Sequence, residues 1–68
     1  MEYLLVNFRD ERDVVLDGEV GGLTNHLIAL SPGTVTISLG EPFDFLPTEL
    51  TVVVKGTSVL APFEVTFE

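Results

Sequence analysis

The most constraining feature of this sequence is a two-residue alternation of apolar and polar side chains. It is cleanest over residues 34–39, where Val35, Ile37 and Leu39 alternate with threonine and serine. Successive side chains of a β-strand point to opposite faces, so the pattern predicts a strand with one buried face. Related runs predict further strands over residues 3–8, 13–17, 26–30, 50–54 and 63–68.

Turn residues separate these runs. Asp17-Gly18 predicts a tight turn, and Ser31-Pro32-Gly33 predicts a hairpin loop that pairs residues 28–30 with 35–37. The segment 40–47 is bracketed by prolines and cannot form a regular helix. Short strands joined in this way indicate a sandwich or a small barrel. We predict an all-β fold, a small antiparallel β-sandwich of six to seven short strands, formed by residues 1–68 as one domain.

Two finer expectations concern the strand positions. The N-terminal strand, residues 4–8, is predicted to lie at an exposed edge of a sheet. Val53 adds an apolar side chain to the second face of strand 50–54. This predicts that strand 50–54 is covered on both faces.

Composition excludes several functions. The chain has 11 acidic and 3 basic residues and a formal net charge of −8, so it would repel nucleic-acid phosphates and anionic membrane surfaces. It has no cysteine, which rules out disulfides and zinc–thiolate sites. No segment offers the roughly 20 apolar residues of a membrane-spanning helix. The opening residues lack the features of a signal peptide, which favours a cytoplasmic location.

The sequence offers no convincing catalytic set. His26 is the only histidine, and no serine beside it has the base and the orienting group that a nucleophile needs. We interpret His26 as a residue at the end of a strand. The glycine-rich segment 18–22 lacks the lysine and the following helix of a phosphate loop. We therefore expect no enzymatic activity and no cofactor.

An acidic run provides the one candidate for a metal. Calcium takes six to eight oxygen ligands from a defined loop, and the run does not have the spacing of an EF-hand. Arg9 and Arg12 interleave with the acids and would partly neutralise them, so we favour a solvated turn. Weak calcium binding stays an alternative for the carboxylates of Asp10, Glu11, Asp13, Asp17 and Glu19.

Phe43 and Phe45 are the candidate partner-contact residues. Two aromatic rings in a proline-bracketed loop could form a contact for a protein or a glycan. We favour the interpretation that they close the open end of a small sandwich, since large side chains are needed there. Alternation adds a condition: if one ring is exposed, the other points inward.

Four segments together resemble PEGA domains. They are V-L-D-G at 15–18, G-L-T-N at 22–25, L-S-P-G-T-V-T-I at 30–37 and F-D-F-L-P at 43–47, and the likeness spans about residues 13–67. Asn25 stands where the family usually has proline, and Gly21-Gly22 adds a second flexible step. The resemblance implies a small β-sandwich module, often an accessory unit of envelope or cell-surface proteins, with no enzymatic activity and no common ligand. That setting differs from the cytoplasmic location suggested by the N-terminus.

These observations lead to one functional hypothesis with two alternatives. The first is a non-enzymatic binding or spacer module that mediates protein or polysaccharide contacts. The second is a structural subunit that self-associates through an exposed edge strand. The third is the weak calcium-binding accessory domain described above.

Overall fold

Seven β-strands and no helix form this chain in the computed structural model, which describes residues 1–68. No helix long and apolar enough to cross a membrane is present. The strands are β1 (Glu2–Asn7), β2 (Asp13–Leu16), β3 (Glu19–Leu23), β4 (Leu27–Leu30), β5 (Gly33–Leu39), β6 (Leu50–Val54) and β7 (Phe63–Thr66).

The strands form two sheets. One sheet has three strands in the order β4-β1-β7, and the other has four in the order β3-β2-β5-β6. All neighbouring strands are antiparallel except β1 and β7, which run parallel. The predicted all-β sandwich with six to seven short strands is therefore confirmed.

The core lies between the two sheets. Leu4 and Val6 of β1 are fully buried, as are Val14 of β2 and Ile37 of β5. They belong to one cluster of 12 buried apolar residues drawn from both sheets. Every strand that alternates in sequence therefore places its apolar face on this shared core.

The prediction that β1 is an edge strand is wrong. β1 lies in the centre of its sheet, antiparallel to β4 on one side and parallel to β7 on the other. The cause is chain topology, because β7 returns from the far end of the sequence to cover the free side of β1. A strand that is first in the chain need not be outermost in a sheet.

The predicted hairpin between residues 28–30 and 35–37 is also wrong. β4 pairs with β1, whereas β5 pairs with β2 and β6. Ser31-Pro32 thus carries the chain from one sheet to the other. Ile28 and Val35 both belong to the buried core, but they lie in different sheets. Alternation predicts which face of a strand is buried, but it does not predict which strands pair with it.

The strand 50–54 is not covered on both faces as predicted. Val53 is 54% exposed, whereas Val54 is fully buried. The fold has only two sheets, so no third layer covers the outer face of β6. Val53 is therefore a surface residue with high β-propensity rather than part of a second core.

The strand β3 was missed at the sequence level because it contains two glycines. An added Cβ at Gly21 would lie 2.6 Å from Leu16 Cδ1, and one at Gly22 would lie 2.7 Å from Ile28 Cγ1. The glycines thus leave space for two apolar side chains. The preceding turn does follow the prediction: Asp17 and Gly18 both have positive φ, as a two-residue hairpin with matching twist requires.

Candidate functional site

Phe45 closes one end of the sandwich. Its ring is 6% exposed and packs edge-on against Phe8, with centroids 6.3 Å apart, and against Phe67, with centroids 5.8 Å apart. Phe8 directly follows β1, and Phe67 directly follows the last residue of β7. Edge-to-face packing is a favoured arrangement of aromatic rings. Phe45 therefore fills the gap between the ends of two neighbouring strands.

Phe43 points toward solvent. Its side chain is 76% exposed, although its ring centroid lies 6.1 Å from that of Phe45. The expectation that one ring of the pair points inward when the other is exposed is met. The plane of the exposed Phe43 ring is tilted by 59° from that of the buried Phe45 ring.

The backbone around Phe43 is tightly turned and anchored. The amide of Asp44 donates to the carbonyl of Pro42 at 3.0 Å, which closes a turn with Phe43 at its apex. Two residues further on, Leu46 and Glu68 exchange two backbone hydrogen bonds of 2.7 and 2.8 Å. We call residues 42–44 the Phe43 turn.

Two arginines brace the Phe43 turn from below. Arg12 Nη1 donates to Pro42 O at 2.8 Å and to Asp44 Oδ1 at 3.0 Å. Arg9 Nη2 donates to Asp44 O at 3.1 Å and lies 3.0 Å from Asp44 Oδ2. Both guanidinium groups also lie over the Phe8 ring, 4.5 and 5.2 Å from its centroid. Two of the three basic residues of the chain thus hold one turn.

A buried threonine fixes the loop that carries these arginines. Thr24 is fully buried; its hydroxyl accepts from Arg12 N at 2.8 Å and donates to Asp10 O at 2.7 Å. Its own amide donates to Arg12 O at 2.9 Å. The sequence reasoning missed this residue. The available signal was a Thr-Asn pair between two apolar runs, because such side chains bond to nearby backbone in turns.

Asn25 anchors the other end of the same loop. Its side chain accepts from Phe8 N at 3.1 Å and donates to Phe8 O at 2.9 Å, and its backbone amide donates to Val6 O at 2.7 Å. Asn25 also has a positive φ of 63°. Asparagine tolerates this left-handed conformation better than most residues. The Phe43 turn therefore rests on a chain of hydrogen bonds that begins in the central strand β1.

Acid should weaken the contacts of the Asp44 carboxylate, which are part of what holds the Phe43 turn. The Arg12 hydrogen bond, with the charges of Arg12 and Arg9, lowers the pKa of the Asp44 carboxyl from its ordinary value of 3.8, although desolvation opposes this. A depressed carboxyl pKa gives stability that is present above the unfolded pKa and lost as pH falls through the folded pKa. We expect Asp44 to titrate below pH 3.8, with the Phe43 amide shifting in parallel. Carboxyl carbon NMR during an acid titration measures this.

The Arg12→Gln variant tests whether Arg12 causes the lowered pKa of Asp44. It removes the charge and the guanidinium donors and leaves a shorter, neutral, polar side chain. The pKa of Asp44 should then rise toward 3.8. An Asp44 carboxyl that titrates at the same pH with and without Arg12 would contradict the arginine brace.

The remaining sequence candidates do not come together. His26 is exposed, and its Nε2 lies 3.0 Å from Glu11 Oε2. Asp10 lies beside Arg9 and Arg12, and Asp17 accepts from the amide of Thr36. No three carboxylate or imidazole groups lie close enough to hold a metal ion. The acidic run is therefore divided among separate local contacts.

No protein-family model, no curated protein and no solved structure matches this chain. Its class is defined by the structure: a small two-sheet β-sandwich with an aromatic turn braced at one end. Position 25 requires a residue with an amide hydrogen and a positive φ. Proline has no amide hydrogen and a fixed negative φ, so it could neither bond to Val6 nor adopt the observed turn.

Proposed function

We propose that this chain is a non-enzymatic binding module whose Phe43 turn contacts an apolar segment of a partner protein. The observation that carries the proposal is an aromatic ring that is 76% exposed on a turn held from both flanks. A single exposed apolar residue is common on protein surfaces and says little by itself. The bracing is what distinguishes Phe43 from the other exposed apolar residues.

Bracing matters because binding loses free energy when loops and side chains must first be ordered. The Phe43 turn is ordered in advance by Arg9, Arg12 and the backbone pairing of Leu46. Aromatic anchors of this kind contribute a large share of the binding energy in many protein interfaces. Leu46 is also exposed and could extend the apolar contact along the same loop.

The polar surroundings favour a protein over a polysaccharide. A sugar needs a stacking ring together with free donors and acceptors for its hydroxyl groups. The polar side chains that hold the Phe43 turn, those of Asp44, Arg9 and Arg12, already bond to one another. The structure has no pocket, so we place the contact on the exposed Phe43 turn. The net charge of −8 favours a partner segment that is neutral or basic.

A random peptide library displayed on phage tests this proposal. Wild-type protein is the bait, and the Phe43→Ala variant serves for counter-selection. We expect apolar, neutral-to-basic peptides that bind at least about tenfold more weakly to Phe43→Ala, a loss of roughly 1.4 kcal/mol. Their footprint on the amide NMR spectrum should centre on residues 42–46.

Leu60→Ala is the matched control. Leu60 is also an exposed apolar residue, 97% exposed, but it lies in the loop between β6 and β7 and not in the Phe43 turn. It should leave peptide affinity unchanged. Peptides that bind all three proteins equally would overturn the proposal. If glycans on an array bound the protein and peptides did not, the partner of the Phe43 turn would be a polysaccharide instead.

A further inference from the structure

The four edge strands of the sandwich are not equally protected. β3 contains Glu19 and two glycines and has a register irregularity, and β7 contains Glu64 and follows a proline. β4 has only four residues and is followed by Ser31-Pro32. Charges, prolines, bulges and short length are the devices that prevent edge strands from pairing with other chains. β6, with sequence L-T-V-V-V and an uninterrupted register with β5, has none of these.

The free backbone groups of β6 can be assigned from its neighbours. In β5, Thr36 directs its backbone toward β2, since Thr36 O accepts from Asp17 N and Thr36 N donates to Asp17 Oδ1, both at 2.9 Å. Backbone groups of successive residues alternate between the two sides of a strand. Val35 and Ile37 therefore face β6, opposite Val52 and Leu50.

The other residues of β6 consequently face outward. Thr51 and Val53 direct their N–H and C=O groups to the free edge, and no turn or loop hydrogen bond uses them. The same alternation places the backbone groups of Glu49 and Lys55, which flank β6, on this edge. Such a row of free donors and acceptors is a template for another extended strand.

One register uses all four of these residues. If a second copy pairs antiparallel with its two-fold axis at Val52, Thr51 lies opposite Val53 of the second copy. Glu49 then lies opposite Lys55 of the second copy, and the symmetry repeats this pair at the other end. Glu49 and Lys55 are both exposed, and neither forms an ion pair within the chain. A shift by two residues in either direction loses both pairs.

We propose that two copies of this chain associate through β6, antiparallel about Val52, so that two four-stranded sheets join into one of eight strands. The partner is a second copy because the edge is complementary to itself in charge. A two-fold interface brings the same patch of both molecules together, and Glu49 and Lys55 satisfy this condition. The β6 edge is distinct from the Phe43 turn, so the association is independent of the proposed function.

Association should be weak, because each copy carries a net charge of −8 and the molecules repel at a distance. Sedimentation equilibrium at protein concentrations up to about 1 mM is the measurement. We expect wild-type protein to show a monomer–dimer equilibrium. Val53→Pro should abolish it, since proline removes an outward donor of an edge strand without touching the β5 hydrogen bonds. Amide NMR confirms that the variant is folded.

Charge reversal tests the register. Lys55→Glu and Glu49→Lys each place like charges opposite one another, twice per dimer, and each should weaken association by about tenfold. Glu49→Lys changes the net charge from −8 to −6, so net repulsion alone would predict a stronger dimer. The double variant restores the pairs at an unchanged net charge and should associate within about threefold of wild type.

The outcomes separate clearly. A protein that stays monomeric at about 1 mM, or a dimer that persists in Val53→Pro, would overturn the β6 interface. If the double variant dimerised no more strongly than the single variants, the register about Val52 would be wrong. Phe43→Ala should leave the dimer unchanged, so failure of the peptide-binding proposal would be seen separately.

Discussion

Replacing Phe45 by alanine should leave the domain largely unfolded, because the change should cost about 3–5 kcal/mol. Phe45 is buried between Phe8 and Phe67, and the lost ring would leave a hole at the end of the sandwich. A single core of this size, without disulfides, rarely supplies more than about 3–5 kcal/mol in total. The expected loss therefore matches the whole stability of the fold.

Phe43→Ala is the matched control. It also removes a phenylalanine ring, but from an exposed position two residues before Phe45. It should change the free energy of unfolding by less than about 0.5 kcal/mol. Urea titration followed by far-ultraviolet circular dichroism measures both variants. Phe45→Leu should recover part of the loss, because leucine refills some of the volume. Equal midpoints for Phe45→Ala and Phe43→Ala would refute the assignment of one ring to the core and the other to the surface.

The two phenylalanines also show what could be predicted from sequence. Alternation predicts that one ring points inward and the other outward. It also correctly predicts that Val35, Ile37 and Leu39 lie in the core. It does not say which of the two rings is buried. That depends on the positions of Phe8 and Phe67, which the pairing of β1 with β7 brings to the same end of the sheet.

Strand order could not be predicted for a similar reason. A buried face is a local property of a strand, whereas its neighbours depend on where the rest of the chain runs. Residues 28–30 and 35–37 have the alternation and the turn residues of a hairpin, yet they lie in opposite sheets. The central place of β1 depends on β7, whose partner residues lie nearly a full chain length away.

The brace beneath the Phe43 turn is the largest feature that the sequence did not reveal. Arg9 and Arg12 lie among acidic residues, and the nearby charges Asp10, Glu11 and Asp13 look like their natural partners. In the structure both arginines reach Asp44, 32 residues beyond Arg12 in the chain. The signal was the scarcity of basic residues: with only three in the chain, two within four positions of one another indicate a specific use.

Asn25→Pro should destabilise the domain nearly as much as Phe45→Ala. Proline cannot adopt the observed φ of 63°, and it removes the amide that donates to Val6 O in the central strand. It also removes the side chain that bonds to both Phe8 N and Phe8 O. Each unsatisfied buried backbone group costs about 1–3 kcal/mol, so three such losses should exceed about 3 kcal/mol.

Asn25→Gly separates the backbone from the side chain. Glycine accepts a positive φ and keeps the amide, so only the two Phe8 hydrogen bonds are lost. At about 1–3 kcal/mol for each group left unsatisfied, we expect a cost of at least about 2 kcal/mol, smaller than that of Asn25→Pro. Thermal unfolding of the three proteins followed by circular dichroism gives the comparison. If Asn25→Pro melted within about 5 °C of wild type, a shift worth only about 1 kcal/mol, the loop would have another conformation available to it. Proline would then fit this position after all, and the left-handed turn at Asn25 would not be what holds the loop bearing Arg9 and Arg12 in place.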